Sequence, residues 1–315
     1  MTSRRSFLTA GFKSSALLAL AGGGAGYATL DMGPDGVSGD IRLEHVKIAS
    51  PTLPEPFNGY RIGFLTDLHL GIWVPDEWIT RSLEILRAQK VDLLVLGGDY
   101  LCINESRVWE RVGLVRNPRF AGLSFRTAVR SIFESVVDLI EPHSFPDGIV
   151  AIPGNHEYWN SSRVFFDTFR RSSAIRLLVN EETRVSRSNT HLTFFGADDY
   201  LTGMPRLPSY SSIESGAPPF RVLLSHNPDL VGYGLTRFGS SFAFDLSLCG
   251  HTHGGQVRIP WVGAVSYQVQ YRNLGCGLAN VEGKYVYTSR GLGLVGVPFR
   301  VACPPEVTVI ELQRV

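Results

Sequence analysis

The chain has 315 residues, of which 44% are hydrophobic and 19% are charged, and its formal net charge is +1. This length allows one large domain or two small ones, and the composition is ordinary for a protein that buries a core. A nearly neutral charge gives no global basic surface, so no nucleic-acid partner is expected. The four cysteines show no paired CxxC spacing, so we expect buried, inert thiols, with disulfides as the alternative if the protein is exported.

The N-terminal thirty residues have the pattern of an export signal. Arg4 and Arg5 precede a weakly apolar, uncharged stretch over residues 14–30. This resembles a twin-arginine signal, which implies the twin-arginine export machinery as a partner. The alternative is an uncleaved N-terminal anchor, because the stretch is borderline in length for spanning a bilayer. We therefore expect a protein of the periplasm or cell envelope, or one anchored to the cytoplasmic membrane.

After this signal or anchor (1–30), residues 31–40 are rich in turn-forming residues and are interpreted as a linker. The remaining domain is expected to span residues 41–315. In it, short apolar runs bounded by Gly or Pro alternate with helical segments, as in layered α/β folds. The predicted strands lie at residues 41–48, 61–65, 91–96, 148–152, 192–195, 221–224, 244–248 and 306–312. Apolar spacing predicts helices at residues 76–90 and 127–140.

Short polar clusters follow the apolar runs, and five of the eight histidines lie in them. The clusters are Asp67-Leu68-His69, Gly98-Asp99, Gly154-Asn155-His156-Glu157, Ser225-His226 and Gly250-His251-Thr252-His253. Because ligands bind at the carboxyl ends of strands in open α/β sheets, the clusters are expected to converge on one site.

Residues 101–126 form a long connection that mixes arginines with large apolar residues and has no clean periodicity. One interpretation is a surface elaboration that packs on the domain. The other is a cap, or a membrane-facing segment, that selects the substrate.

The clusters supply a full ligand set for two divalent metal ions. We assign Asp67, His69 and His253 to the first ion. Asn155, His226 and His251 are assigned to the second ion, and Asp99 is the candidate bridge between the two. A carboxylate must bridge because two dications held close together repel each other. Mixed imidazole and carboxylate ligands favour Mn, Fe or Zn over Ca or Mg.

His156 adjoins the candidate ligand Asn155 but is not needed for coordination. It is the candidate catalytic residue, either donating a proton to the leaving oxygen or stabilising charge on the transferred phosphoryl group. Glu157 is expected to orient this imidazole through a hydrogen bond. Paired metals with a spare histidine favour phosphate-ester cleavage.

The motifs D-x-H, G-D, G-N-H-E, S-H and G-H-T-H, in that order from Arg61 onward, resemble the calcineurin-like metallophosphoesterase superfamily. The resemblance implies an α/β fold, a four-layer β-sandwich flanked by helices, around a binuclear site. It also implies hydrolysis of phosphodiester or pyrophosphate bonds by a metal-bridging hydroxide. Residues 223–229 and 249–256 are similar to a bacterial branch of exported or membrane-associated phosphodiesterases.

That branch is also similar to enzymes that hydrolyse UDP-2,3-diacylglucosamine in lipid A synthesis. A nucleotide-linked lipid is therefore the alternative substrate, and contact with a membrane is expected. The alternative of another class is a non-catalytic binding protein on the same fold.

Three further residues have two interpretations each. Arg290 follows another apolar run and either contacts substrate phosphate or forms a structural salt bridge. Asp198 and Asp199 are either hydrogen-bond partners of metal-bound histidines or turn-forming residues.

Overall fold

The computed structural model describes residues 41–103, 117–207, 220–259 and 261–315. The predicted signal or anchor (1–30) and linker (31–40) lie outside these residues, as does the part of the 101–126 segment between 104 and 116. Within the described ranges, no helix combines the length and the apolar character needed to cross a membrane.

The described residues form strands and helices that follow the predicted alternation. The strands are β1 (Arg42–Ser50), β2 (Arg61–Leu65), β3 (Leu93–Leu96), β4 (Ile149–Ala151), β5 (Ile175–Leu177), β6 (Glu181–Arg187), β7 (Thr190–Gly196), β8 (Phe220–Leu224), β9 (Leu246–Cys249), β10 (Arg258–Ile259), β11 (Gly263–Ala264), β12 (Gly277–Val281), β13 (Lys284–Thr288) and β14 (Glu306–Arg314). The longer helices are α1 (Asp76–Ala88), α2 (Phe125–Ile140), α3 (Asn155–Phe169) and α4 (Pro228–Phe238).

Both predicted helices are confirmed, with shifted ends. Helix α2 begins at Phe125, two residues before the predicted start, because the Ser124 side chain accepts the backbone N–H of Thr127 at 3.3 Å and caps the helix there. Helix α1 ends at Ala88, and the predicted end at Lys90 fails because Lys90 has a left-handed φ of 53°.

Two six-stranded sheets carry the fold. The first has the order β1-β14-β2-β3-β4-β5, in which β2 to β5 run parallel. The second has the order β12-β13-β9-β8-β7-β6, in which β13, β9, β8 and β7 run parallel. All eight predicted strands are present. Strands β5, β6 and β10 to β13 were not among the eight; β5, β10 and β11 have three residues or fewer, and β6 and β12 have no continuous buried run.

The apolar residues of the sheets separate into layers. In β3, Leu93 and Val95 face a core between the two sheets, while Leu94 and Leu96 face a second core against helices α1 to α3. A third core lies between the second sheet and α4, with Leu223 and Val231 in contact with it. The order helix, sheet, sheet, helix is the four-layer α/β fold that the resemblance implies. A strand buried on both faces has a continuous apolar run, which is why these strands were visible in the sequence.

Candidate metal centre

The predicted clusters meet where loops from the two sheets come together. Loops after β2, β3 and β4 of the first sheet contact loops after β8 and β9 of the second. The backbone N–H of Asp67 donates to the carbonyl of Gly98 at 2.9 Å, and that of Gly250 donates to His226 at 2.9 Å. The N–H of His251 crosses between the sheets to the carboxylate of Asp67. The expected convergence at strand ends is therefore what the fold produces.

Five of the predicted ligands have a left-handed backbone. Their φ values are 53° for Asp67, 46° for His69, 56° for Asp99, 69° for His251 and 52° for His253. This region costs a residue with a side chain on the order of 1 kcal/mol or more, and such residues concentrate at functional sites. The loops are thus held in conformations that the rest of the fold must stabilise.

The glycines of the motifs leave room for these loops to approach. A Cβ on Gly154 would overlap a carboxylate oxygen of Asp99 and would lie 2.6 Å from the Asp99 nitrogen. A Cβ on Gly250 would overlap Asp67 and Thr66. No larger residue fits at these two points without displacing a candidate ligand.

One group of candidate ligands contains Asp67, His69 and His253, whose ligand atoms all lie within 4.8 Å of one another. The Nε2 atoms of His69 and His253 are 2.9 Å apart, and Asp67 Oδ1 is 3.4 Å from Nε2 of His253. The Asp67 carboxylate is fixed by the hydroxyl of Thr66, which donates at 2.8 Å, and by the backbone N–H of His251. This group coincides with the set assigned to the first ion.

The second group contains Asp99, His226 and His251, again with ligand atoms within 4.8 Å. Asp99 Oδ2 lies 3.1 Å from Nε2 of His226, and Asn155 Oδ1 lies 2.9 Å from Nδ1 of His251. These are the residues assigned to the second ion, together with the expected bridge.

Asp99 belongs to the second group and also lies close to the first. Its Oδ2 is 3.5 Å from Nε2 of His69 in the first group and 3.1 Å from Nε2 of His226 in the second. Its Oδ1 accepts the backbone N–H of His156 at 2.9 Å, which fixes the carboxylate. This position agrees with the hypothesis that Asp99 is shared by two ions.

The donor atoms fit positively charged ions. Nδ1 of His226 donates to the Gly97 carbonyl at 2.8 Å, so Nε2 of the neutral ring carries a lone pair. In the neutral ring that buried nitrogen faces the Asp99 carboxylate at 3.1 Å, so two electron-rich atoms oppose each other unless a proton or a metal ion lies between them. A cation between them removes this conflict. The mixed nitrogen and oxygen donors suit Mn, Fe or Zn.

The pKa values of the histidines agree with this arrangement. Burial lowers the pKa of both His69 and His251 to about 3, which keeps the rings in the neutral form that binds metals. For His226, burial lowers the pKa but the adjacent Asp99 carboxylate outweighs it and raises the pKa well above its usual value. Positive charge is therefore favoured at the very point where His226 meets Asp99.

Glu157 does not contact the His156 ring as we predicted. Its carboxylate accepts three backbone N–H groups, from Asp99 at 3.0 Å, Tyr100 at 2.9 Å and Gly154 at 2.7 Å. The prediction was wrong because Glu157 is the third residue of α3, from which a carboxylate folds back to the helix start as in a capping box. Glu157 instead ties the loop after β3 to the start of α3.

His156 lies at the edge of the two groups. Its Nε2 is 4.0 Å from Asp99 Oδ2, and its ring contacts the His69 ring edge-on with centroids 4.5 Å apart. On its other side the half-exposed Trp159 packs at 5.0 Å. Cys102 also belongs to a compact group with His69 and His156. The sequence analysis missed Trp159 and Cys102; it predicted no helix at residues 155–169, where a spacing of three brings His156 and Trp159 to one face.

Arg300 is a further residue that the sequence analysis missed. It is buried, and its Nη2 lies 3.2 Å from Nδ1 of His253. The guanidinium donates to backbone carbonyls, including those of Gly293 at 2.7 Å and Arg290 at 2.9 Å. Burial lowers the pKa of Arg300 below its usual value, and the nearby Asp67 carboxylate offsets this only in part. A positive charge thus lies behind the first group, on a residue with no motif around it in the sequence.

The structure also gives the contacts of Arg290, Asp198 and Asp199, for which the sequence left two interpretations each. Arg290 forms salt bridges with Glu44 at 2.6 Å and Glu306 at 3.0 Å, which is the structural alternative. Asp198 and Asp199 accept backbone N–H groups of the loop at residues 199–204, as turn-forming residues do, and the Asp199 carboxylate also helps to raise the pKa of His226. All four cysteines, Cys102, Cys249, Cys276 and Cys303, are free thiols.

Comparison with known proteins identifies the family. The calcineurin-like phosphoesterase model matches residues 60–255, which is more than half of the chain and contains all the clusters. The chain belongs to the calcineurin-like phosphoesterase family. This membership supports a hydrolase that acts on phosphoesters, and such phosphoesterases typically bind divalent metals.

Among related phosphoesterases, the chain is 31% identical over 257 residues to "Phosphodiesterase YaeI" of Escherichia coli, covering 80% of this chain and 82% of that protein. It is 26% identical over 313 residues to "Uncharacterized metallophosphoesterase YkuE" of Bacillus subtilis, covering 99% and 98%. The solved structure of a dimetal phosphatase from Danio rerio matches with a TM-score of 0.41 and 12% identity, covering 73% of this chain and 87% of that one.

Proposed function

We propose that this phosphoesterase hydrolyses phosphodiester or pyrophosphate bonds with the help of two divalent ions. The observation that carries the proposal is the position of Asp99, whose Oδ2 lies within 3.5 Å of a histidine from each ligand group. One ion is assigned to Asp67, His69 and His253, and the other to Asn155, His226 and His251, with Asp99 shared. The relative from Escherichia coli is named a phosphodiesterase, which agrees with this bond type.

When bound, the two ions supply a water of lowered pKa and positive charge that neutralises the phosphate oxygens. The side chains of this chain are already positioned for that chemistry. Thr66 and the N–H of His251 hold the Asp67 carboxylate, and the N–H of His156 holds Asp99. Ligands fixed in this way need little reorganisation during the reaction.

His156 is proposed to contact the reacting phosphoryl group. Burial lowers the pKa of its ring, so the imidazole is neutral near pH 7. A neutral imidazole donates an N–H hydrogen bond to a phosphoryl or leaving oxygen, but it gives up that proton much less readily than an imidazolium does. The neutral form therefore favours charge stabilisation over full proton transfer. Its place beside the ligands, 4.0 Å from Asp99, suits this role.

A nucleotide-linked lipid is the second candidate substrate, as in UDP-2,3-diacylglucosamine hydrolysis. The observation in its favour is Trp159, which is half-exposed and packs on His156 with ring centroids 5.0 Å apart. An aromatic face at this point could carry a nucleobase or an acyl chain next to the phosphate.

We further propose that the protein is exported by the twin-arginine machinery and works in the periplasm or cell envelope, or stays anchored to the cytoplasmic membrane. Arg4 and Arg5 with the apolar stretch that follows support this. Replacing both arginines with lysine should retain the protein in the cytoplasmic fraction, whereas unchanged fractionation would contradict the route.

The hydrolysis proposal is tested with the full chain loaded with Mn. Bis-p-nitrophenyl phosphate, p-nitrophenyl phosphate and UDP-2,3-diacylglucosamine represent diester, monoester and lipid-linked pyrophosphate. We expect metal-dependent turnover that is faster on the diester or the pyrophosphate than on the monoester. Turnover of none of them would favour the non-catalytic binding protein instead.

A further inference from the structure

A small β-hairpin projects from the metal-centre loop. Strands β10 and β11 pair in antiparallel fashion, with Arg258 opposite Ala264 and Ile259 opposite Gly263. Two residues separate the hairpin from the turn His253–Gly255, and Gly255 packs so closely on Ala264 that a Cβ would overlap it. Its orientation is therefore coupled to the loop that carries His253.

The base of the hairpin is also held from the other side. The N–H of Arg258 donates to the Val301 carbonyl at 3.0 Å, and the N–H of Val301 donates to Gln256 at 3.0 Å. The Gln256 side chain donates to the carbonyls of Val295 and Phe299. These hydrogen bonds fix the base of the hairpin to the rest of the domain.

Large apolar side chains cover the outside of this projection. Trp261 is fully exposed, Val262 is 76% exposed and Val265 is 62% exposed, while Ile259 is about half-exposed. Phe299, beside the hairpin base, is also exposed. Contiguous exposed apolar residues of this kind mark a surface that contacts something other than water. We call Ile259, Trp261, Val262 and Val265 the hairpin tip.

The charged residues of the hairpin and of the segment after it have one sign. Between residues 256 and 281 the charged residues are Arg258 and Arg272, both basic. Arg258 lies at the hairpin base, where its guanidinium approaches Cys276 at 3.7 Å. Arg272 is exposed in a short helical turn just before Cys276. An apolar tip with arginines behind it is complementary to an interface of anionic headgroups over hydrocarbon.

We propose that the hairpin tip inserts into the interface of an anionic lipid bilayer and docks the protein there. Trp261 has the amphipathic ring that favours the headgroup boundary, and the valines and isoleucine enter the acyl region beside it. Arg258 and Arg272 then meet the phosphate groups of the lipids. Since the hairpin is joined to the loop of His253, docking brings the metal centre close to the membrane surface. If the protein hydrolyses phosphoesters as proposed above, docking also implies that its substrate is a lipid phosphoester. The docking itself does not depend on the proposed hydrolysis.

Vesicle binding of the full chain tests the docking. Wild type and the double variant Trp261→Ser/Val262→Ser are sedimented with vesicles of phosphatidylcholine, with and without phosphatidylglycerol. We expect wild type to bind the anionic vesicles more strongly, and the double variant to lose about tenfold or more of that binding. Met204→Ser is the matched control, because Met204 is 83% exposed in a different part of the chain and its loss should change nothing.

Two further measurements separate the explanations. Brominated lipids should quench tryptophan fluorescence in wild type more than in Trp261→Ser, which locates the contact at the tip even if residues 1–40 also bind lipid. Hydrolysis of bis-p-nitrophenyl phosphate should be the same in wild type and the double variant. Equal vesicle binding and equal quenching in wild type and the variants would overturn the proposal. So would dissociation of an oligomer by the double variant without an effect on vesicles, since a second copy would then cover the tip.

Discussion

The Glu157 carboxylate accepts the backbone N–H of Asp99 at 3.0 Å, so a helix residue fixes the residue that we propose as the bridge between two ions. Asp99 has a left-handed φ of 56°, a conformation that its own side chain disfavours. The same carboxylate binds the N–H groups of Tyr100 and Gly154. The loop after β3 and the start of α3 are therefore held together by one buried acidic side chain.

Replacing Glu157 with Gln should destabilise the protein. The Gln amide nitrogen cannot accept a hydrogen bond, so at least one of the three buried N–H groups loses its partner. We expect the free energy of unfolding to fall by about 1–3 kcal/mol, together with weaker metal retention. Urea unfolding and metal analysis measure both. Glu84→Gln, on the exposed face of α1, is the control, and equal stability of the two variants would contradict this role for Glu157.

Single ligand substitutions should remove the ions separately. His253→Ala should lower the metal content of the Mn-loaded protein from two ions to one, and so should His226→Ala, because each residue serves a different group. Asp99→Ala should reduce the content below one, since both groups share it. Metal analysis after dialysis gives the counts, with exposed His45→Ala as the control. A full complement of metal in all three ligand variants would refute the assignment.

His156→Ala should separate catalysis from metal binding. Because His156 contacts the groups from the side and its N–H is proposed to face the phosphoryl group, both ions should stay bound. Turnover of bis-p-nitrophenyl phosphate should fall by about 10²–10³-fold. Unchanged turnover in His156→Ala would contradict the catalytic role of His156, and loss of metal would show that His156 is a structural residue.

Gly154→Ala should displace Asp99. The new Cβ would lie 2.6 Å from the Asp99 nitrogen, so the loop must move, at a cost of about 1–3 kcal/mol in the free energy of unfolding. Metal content should fall as well. Gly283→Ala is the matched control, because Gly283 has a left-handed φ of 82° in open space. Gly283→Ala should lower the free energy of unfolding by about 1–2 kcal/mol, because alanine disfavours this backbone conformation, and should leave the metal content unchanged. Full metal content in Gly154→Ala would show that the loop tolerates the methyl group.

The candidate ligands could be predicted because each follows a short apolar run that ends at a polar residue. Burial of both faces makes β3 and β8 continuous apolar runs, and the carboxyl ends of parallel strands meet at one edge. Knowing where the runs end was sufficient to place Asp67 and Asp99 together at the edge of the first sheet. His226 follows β8 of the second sheet and meets Asp99 only because the two sheets pack together. The predicted helix ends were less accurate than the predicted strand ends, because a helix begins or ends where a capping residue such as Ser124 satisfies its free backbone groups.

The sequence by itself determined which residue types are available to hold ions and at which strand ends they lie, because periodicity and motif spacing report on single segments. Only the tertiary structure decided which atoms meet. Arg300 contacts His253 across 47 positions and His69 meets His253 across 184, and no local pattern encodes such distances. The partner of Glu157 and the exposure of Trp261 were likewise set by packing, since a hydrogen-bond partner or a covering surface is chosen by the whole fold.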